Sequence, residues 1–296
     1  MSNSVIASEE VRAAVEIAAE HGGKHIVRFS RFNRILHIMM IVSFIGLAFT
    51  GMTLKFAYTG WAATLSHLLG GFESAGYIHR LAAVVMFGLF VAHVIDLFRL
   101  KRREFGSWKG MILGPNTMIW TVKDLKEIAG SFKWFLGRGP RPKYGRWTYW
   151  EKFDYFAVFW GITVIGSTGL ALWFPEFLTL FLPGWVINVA TIVHSDEALL
   201  AVGFIFTIHF FNTHLRPEKF PMDTVVFTGR MPLEEFILDK PAEYEDLVRK
   251  GELTHHLVDP YPPIVMKGVR FFAWTALGIG LSMVVWIIYA MLFAYR

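Results

Sequence analysis

Five long apolar stretches alternate with polar segments along the chain, over residues 35–56, 77–98, 155–174, 187–211 and 269–295. A bilayer core about 30 Å thick needs about 20 apolar helical residues at a rise of roughly 1.5 Å each. Each stretch meets that length with some tilt, so five transmembrane helices are predicted. Residues 1–30 read as a short amphipathic helix (VRAAVEIAAE) ended by Gly22-Gly23, then a basic approach, HIVRFSRFNR. Residues 217–268, with Pro-rich ends (RPEKFP, DPYPP) around a polar run, read as a small structured cap. The expected fold is an all-α integral membrane helical bundle. A four-helix core falls in 31–216, interrupted by the loop 99–152, and the fifth helix lies in 269–296.

Charge sets the expected orientation. Segment 99–152 carries thirteen Lys and Arg against four acidic residues, whereas 57–76 and 175–186 carry no Lys or Arg. By the positive-inside rule the N-terminus and loop 99–152 lie in the cytoplasm of a bacterial inner membrane. Segment 217–268 falls on the same side, and five crossings put the C-terminus outside. No cleavable signal peptide is apparent, because residues 1–20 are acidic and amphipathic without an apolar h-region. With 54% hydrophobic residues, 28 Phe and 11 Trp, the composition agrees with a membrane protein. There is no cysteine. This excludes disulfides, Cys-ligated iron–sulfur clusters and covalent c-type haem attachment within the chain.

Histidine carries the candidate chemistry. In the fourth stretch, His194 and His209 are fifteen residues apart, which on an ideal α-helix leaves them within about 60° of one face and about 22 Å apart. His79 and His93 lie in the second stretch, His37 near the inner end of the first, and His214 at the inner exit of the fourth. His21, His25, His67, His255 and His256 fall outside the stretches and read as solvated. Matching depths pair His79 with His194 outside, and His209 with His37 or His93 inside. Intramembrane ionisable residues face the bundle interior and commonly mark function. Two imidazoles from facing helices are the ligand set of a noncovalent b-type haem, and two stacked haems would form an electron wire. Gly46, Gly51, Gly88, Gly161, Gly166, Gly169 and Gly203 would let a macrocycle approach the helices. Hydrogen-bonding histidines between helices are the plainer alternative, and a proton or ion transporter is another. Zinc is disfavoured, since the five-residue step from His209 to His214 turns about 140° away on an α-helix.

These residues resemble the cytochrome b (gamma) subunits of membrane formate dehydrogenases and nickel–iron hydrogenases, in the cytochrome b/b6-like group. The matching segments are RFNRILHIMMIVSFIGLAFTG, GYIHRLAAVVMFGLFVAHV and the fourth stretch, so the resemblance covers residues 27–216. YWEKFDYFAVFWGITVIGSTGLALWFPE and HFFNTHLRPEKFPMDTVVFTGR resemble the branch that accompanies multihaem c-type cytochromes. The resemblance implies haem b as cofactor, held by His79 and His194 outside and by His37 and His209 inside. His93 and His214 depart from the plainest members. His93 would replace His37, or pair with His214 around a third haem.

Around these centres, Arg80, Arg31, Arg34 and Arg216 are candidate partners for haem propionates, with the positive-inside signal as the alternative for the last three. Asp196 and Glu197 are candidate proton acceptors for quinol oxidation, or else caps at the start of the fourth helix. Glu176, Asp96, Asn212 and His214 are further candidates. The expected activity is electron exchange between a quinone or menaquinone pool and a partner. That partner would be a periplasmic multihaem cytochrome c or an iron–sulfur or catalytic subunit. A haem-bearing membrane anchor is the alternative. Lipid is an expected partner and nucleic acid is not.

Overall fold

The computed structural model describes residues 3–216, 219–220 and 222–294. Pro217, Glu218 and Pro221 of the RPEKFP end, and Tyr295 at the expected end of the fifth helix, lie outside the described residues. In chain order the helices are α1 (Asn3–Glu20), α2 (Arg31–Lys55), α3 (Gly60–Leu68), α4 (Phe72–Leu100), α5 (Trp108–Leu113), α6 (Val122–Phe135) and α7 (Tyr149–Trp173). There follow α8 (Pro175–Thr179), α9 (Trp185–Phe204), α10 (Val225–Thr228), α11 (Leu233–Asp239), α12 (Pro241–Lys250) and α13 (Pro263–Tyr289). Five of them, counting their π-helical extensions, are long and apolar enough to cross a membrane: Arg31–Lys55, Phe72–Phe105, Tyr149–Trp173, Trp185–Leu215 and Pro263–Ala294. The protein is an all-α membrane helical bundle. The crossing helices start two to six residues before their apolar stretches, in places because polar first turns such as Tyr149–Asp154 are helical as well.

The chain divides into two compact units. The first comprises residues 1–34, 97–155 and 224–269, so the arm, the basic loop and the cap, separate in sequence, fold together. A three-stranded antiparallel sheet lies within it, β1 (His25–Val27) between β2 (Arg230–Pro232) and β3 (Leu257–Val258). Ala18, Ile26, Met231, Leu233 and Phe236 form its apolar centre. Gly229 is left-handed (φ 72°), and its carbonyl accepts from the Arg28 amide at 2.8 Å, which sets the turn into β2.

Several buried charges in this unit are paired. The Arg28 guanidinium pairs with Glu243 and donates to the Arg146 carbonyl, and Arg146 pairs with Glu243 at 2.9 Å. Lys240 meets Glu151 at 2.7 Å. Burial lowers the pKa of Arg28 and of Lys240, and their carboxylate partners oppose this. Asp124 closes a capping box with Thr121 at the start of α6 and pairs with buried Lys152 at 2.9 Å. Removing one partner of such a pair typically costs about 3–5 kcal/mol, because an uncompensated charge remains.

The second unit comprises residues 35–96, 156–223 and 270–296. Its four core helices form a ring. Ser43 and Gly46 of α2 meet Met86 and Ala82 of α4. Phe90 of α4 packs edge-on against Phe159 of α7 at 5.2 Å. Gly169 of α7 lies against His194 of α9, and Phe206, beyond α9, returns to Phe44 of α2 at 5.7 Å. Helix α13 packs outside that ring. Its buried stripe, Ala273, Leu277, Gly280, Met283 and Ile287, recurs at the three- and four-residue intervals of one helix face. The stripe joins the apolar cluster of Ala48, Met52 and Phe56 with Val202, Phe206 and Phe210. Gly280 permits this approach, since a Cβ there would strike the rings of Phe206 and Phe210.

Candidate functional site

His79 on α4 and His194 on α9 come from opposite corners of the ring and meet inside it. Their ring centres are 6.2 Å apart with planes at 79°. Each is backed by a Thr-Gly pair on a neighbouring helix. Thr50 Oγ1 lies 2.9 Å from His79 Nδ1, and a Cβ at Gly51 would come within 3.1 Å of His79 Cε1. Thr168 Oγ1 lies 3.4 Å from His194 Nδ1, and a Cβ at Gly169 would come within 3.0 Å of His194 Cε1. The correspondence extends to the backbone. His194 Nδ1 donates to the Ile165 carbonyl at 2.9 Å, and His79 bonds the Leu47 carbonyl. Ile165 and Leu47 each stand three residues before their threonine.

These contacts fix the tautomers. A carbonyl only accepts, so His194 Nδ1 carries the proton. Thr50 Oγ1 gives its own proton to the Gly46 carbonyl at 2.6 Å and so accepts from His79 Nδ1, which is protonated there as well. Nε2 is then left with its lone pair, the arrangement that orients a metal-ligating imidazole. Two imidazoles on opposite sides of one metal, each with a metal–nitrogen bond of about 2.0–2.1 Å, hold their ring centres roughly 6 Å apart. The observed separation of 6.2 Å matches that spacing.

At the other end of the same unit stand His37, His209 and His214. His37 has both His209 and His214 as electrostatic neighbours, and His214 has His209. Thirteen residues separate His37 from Thr50 on α2, or about 20 Å of helix. The expectation that His209 and His214 diverge is corrected here. Residues 205–209 and 211–215 are π-helical, and i→i+5 hydrogen bonding brings residues five apart nearly over one another. Both imidazoles therefore reach the neighbourhood of His37. Even so, no group of three or more His, Asp or Glu among the described residues is arranged to hold a metal ion. His93 packs edge-to-face on Phe159 at 5.9 Å, with Asp96 as a neighbouring carboxylate.

The flanking candidates take distinct places. Arg80 stacks over Tyr77 and Trp173, with its guanidinium carbon 5.7 Å from the Trp173 ring centre. Arg34, in the first unit, donates to the Thr228 carbonyl at 2.8 Å and to the Tyr261 hydroxyl at 3.2 Å. Arg216 ends the second π-helical segment, its amide donating to the Phe211 carbonyl. Glu176 lies in the first turn of α8 and Asn212 in the second π-helical segment. Asp196 and Glu197 do not cap the fourth helix, because α9 begins at Trp185 and they lie three turns in. Asp196 instead pairs with Lys55 at 2.9 Å, and Glu197 accepts from the Trp160 indole at 2.6 Å.

Sequence reasoning passed over Thr50, Thr168, Lys55 and Trp160. The signal for the threonines was the Thr-Gly dipeptide inside two apolar stretches, at 50–51 and 168–169, which also occurs outside them at 59–60 and 228–229. For Lys55 it was a single cation at a helix end whose following loop has none. Of the glycines noted in sequence, Gly51 and Gly169 serve the histidines. Gly166 instead makes room for Phe87, whose ring a Cβ there would approach to 2.9 Å. Neither protein-family models nor curated proteins yield a match to this chain.

Proposed function

We propose that the chain is a membrane b-type cytochrome subunit that carries electrons between a quinone pool and a partner redox subunit. The observation that carries this reading is the His79–His194 pair, with His79 Nδ1 held by the Thr50 hydroxyl, His194 Nδ1 by the Ile165 carbonyl, and Nε2 of each left available. His79 and His194 would hold one haem b, and His37 with His209 a second, with His93 and His214 available to a third. Bound in this way, a haem supplies reversible one-electron transfer with no open coordination position. The protein's own contribution is orientation. Thr50-Gly51 and Thr168-Gly169 seat the two rings closely on α2 and α7, and the apolar helices keep water out. Arg80, next to His79 in sequence and stacked on Trp173, is placed to answer a propionate. Asp196, two residues beyond His194 and paired with Lys55, is the carboxylate offered to a proton released by quinol oxidation.

The resemblance to formate dehydrogenase and hydrogenase cytochrome b subunits supports the same reading. By the positive-inside reading, the His79–His194 level would face the periplasm of a bacterial inner membrane, where a multihaem cytochrome c or an iron–sulfur subunit would dock. The test is the dithionite-reduced spectrum of purified protein with pyridine haemochrome quantification. Two haems per chain are expected, and their reduction by a menaquinol analogue separates a carrier from an anchor. A colourless preparation sinks the proposal.

A further inference from the structure

We infer that α6 is an interfacial helix that binds the anionic surface of the bilayer on the side where α4 ends and α7 begins. This rests on the membrane fold and does not depend on the haem reading. At 14 residues α6 is about 21 Å long, too short to cross a hydrocarbon core of about 30 Å. Its amphipathicity is the reverse of that in a water-soluble domain. Asp124, Glu127 and Ser131 are its buried residues. Val122, Leu125, Phe132 and, at the C-cap, Leu136 are each 60–68% exposed. Steps of three and four residues join these four through exposed Ala129, so on an ideal helix all five lie within about 80°. The polar side is committed inward, since Lys152 pairs with Asp124 at 2.9 Å and Ser131 bonds the Tyr144 hydroxyl at 2.7 Å. The helix cannot turn its apolar stripe into the unit's core without breaking both.

Two observations select a lipid surface over a protein partner. The first is position. Trp120, just before α6, packs edge-on against Phe153 at 6.4 Å, two residues before the apolar stretch of the third crossing. Lys152, in the first turn of α7, also donates to the Ile119 carbonyl at 3.3 Å. At the other end of the same loop, Trp108 of α5 packs edge-on against Phe98, the last residue of the second apolar stretch, at 5.1 Å. Trp108 and Trp120 remain 42% and 38% exposed. Each thus marks the end of a crossing helix, the level at which indoles collect in the membrane interface. The N-terminus of α6 is held at that level.

The second observation is charge. Both carboxylates of α6 are buried, whereas Lys123, Lys126 and Lys133 are exposed. Lys126 and Lys133 border the stripe, within about 40° of Val122 around the helix. An apolar stripe edged by cations alone matches acyl chains below and lipid phosphates beside them, the pattern of a helix lying in the interface of an anionic membrane. The basic loop then has a task beyond orienting the chain. It lays a rigid, charged foot on the bilayer between two crossing helices.

The chain has no cysteine, so single introduced cysteines report without background. Leu125→Cys and Phe132→Cys, spin-labelled in the full-length protein in nanodiscs, test the inference through collisions with two relaxants. Oxygen concentrates in lipid and a nickel chelate stays in water. Oxygen should relax both labels more strongly than the chelate does. At Val248→Cys, on the exposed side of α12, the order should reverse. Adding phosphatidylglycerol to phosphatidylcholine discs should move the Phe132→Cys label deeper. Lys126→Gln with Lys133→Gln should abolish that shift, because each cation near an anionic surface strengthens adsorption about fivefold. Both side chains labelled are exposed, so helicity should match the wild type. Labels as open to the chelate as that at Val248→Cys, in both lipids, overturn the inference. Labels open in nanodiscs but shielded in native membranes also overturn it, by showing a protein partner on this face. A phosphatidylglycerol shift that survives the double substitution overturns the role given to the two lysines.

Discussion

The two histidine clusters of the bundle are held by different means. His79 Nδ1 is held by the Thr50 hydroxyl of a neighbouring helix and His194 Nδ1 by the Ile165 carbonyl of another, with a glycine beside each ring. In the other cluster the Nδ1 atoms of His37 and His214 are buried with no hydrogen-bond partner among the described residues. Two of its three rings sit on π-helical turns. The first cluster has its geometry set by neighbouring helices. The second keeps a choice among three imidazoles, and buried ring nitrogens without partners make it costly until something binds. On the proposed reading, the first would be a preorganised site and the second would be completed by its ligand.

The largest expected effect breaks the preorganised pair. His194→Ala or His79→Ala should remove about half of the haem absorbance, since a bis-imidazole site does not survive on one ligand. The centre at His37 should keep its spectrum and potential. Full stoichiometry in His194→Ala contradicts the assignment.

Next in size are the single replacements in the second cluster. His37→Ala and His209→Ala should each abolish the second haem, whereas His214→Ala should leave two per chain. Loss in His214→Ala with retention in His209→Ala would exchange their roles, which the π-helical stacking makes geometrically accessible. A smaller effect is expected from Gly169→Ala, whose Cβ comes within 3.0 Å of His194 Cε1. The ring must give by a few tenths of an ångström, so the first haem should remain with an altered electron paramagnetic resonance signal. Gly203→Ala, with nothing within 4 Å, is the matched control.

Much of this was readable from sequence. The five crossing helices follow from runs of apolar residues, and the depths of His79 and His194 from counting along them. What escaped has identifiable physical causes. A π-helical segment leaves no mark in an apolar pattern, so the angle between His209 and His214 came out wrong for residues 205–215. The sheet joining residues 25–27 with 230–232 and 257–258 depends on pairing between segments some 200 residues apart in sequence. The role of Thr50 was hidden because threonine in a membrane helix ordinarily bonds its own backbone. Thr50 does so too, donating to the Gly46 carbonyl at 2.6 Å while accepting from His79.

That dual role gives the finest test of the comparison. With its proton committed to Gly46, Thr50 Oγ1 accepts from His79 Nδ1 at 2.9 Å, a full hydrogen bond. Thr168 Oγ1 stands 3.4 Å from His194 Nδ1, near the limit, and that ring has the Ile165 carbonyl at 2.9 Å as its main acceptor. Valine keeps the shape of threonine and deletes the oxygen. Thr50→Val should therefore cost about 1 kcal/mol of orientation for His79, seen as a lowered thermal midpoint for release of the first haem. Thr168→Val should cost much less, and neither should move the second centre. Equal shifts from the two variants would mean that the carbonyls alone orient the rings and that the hydroxyls are bystanders.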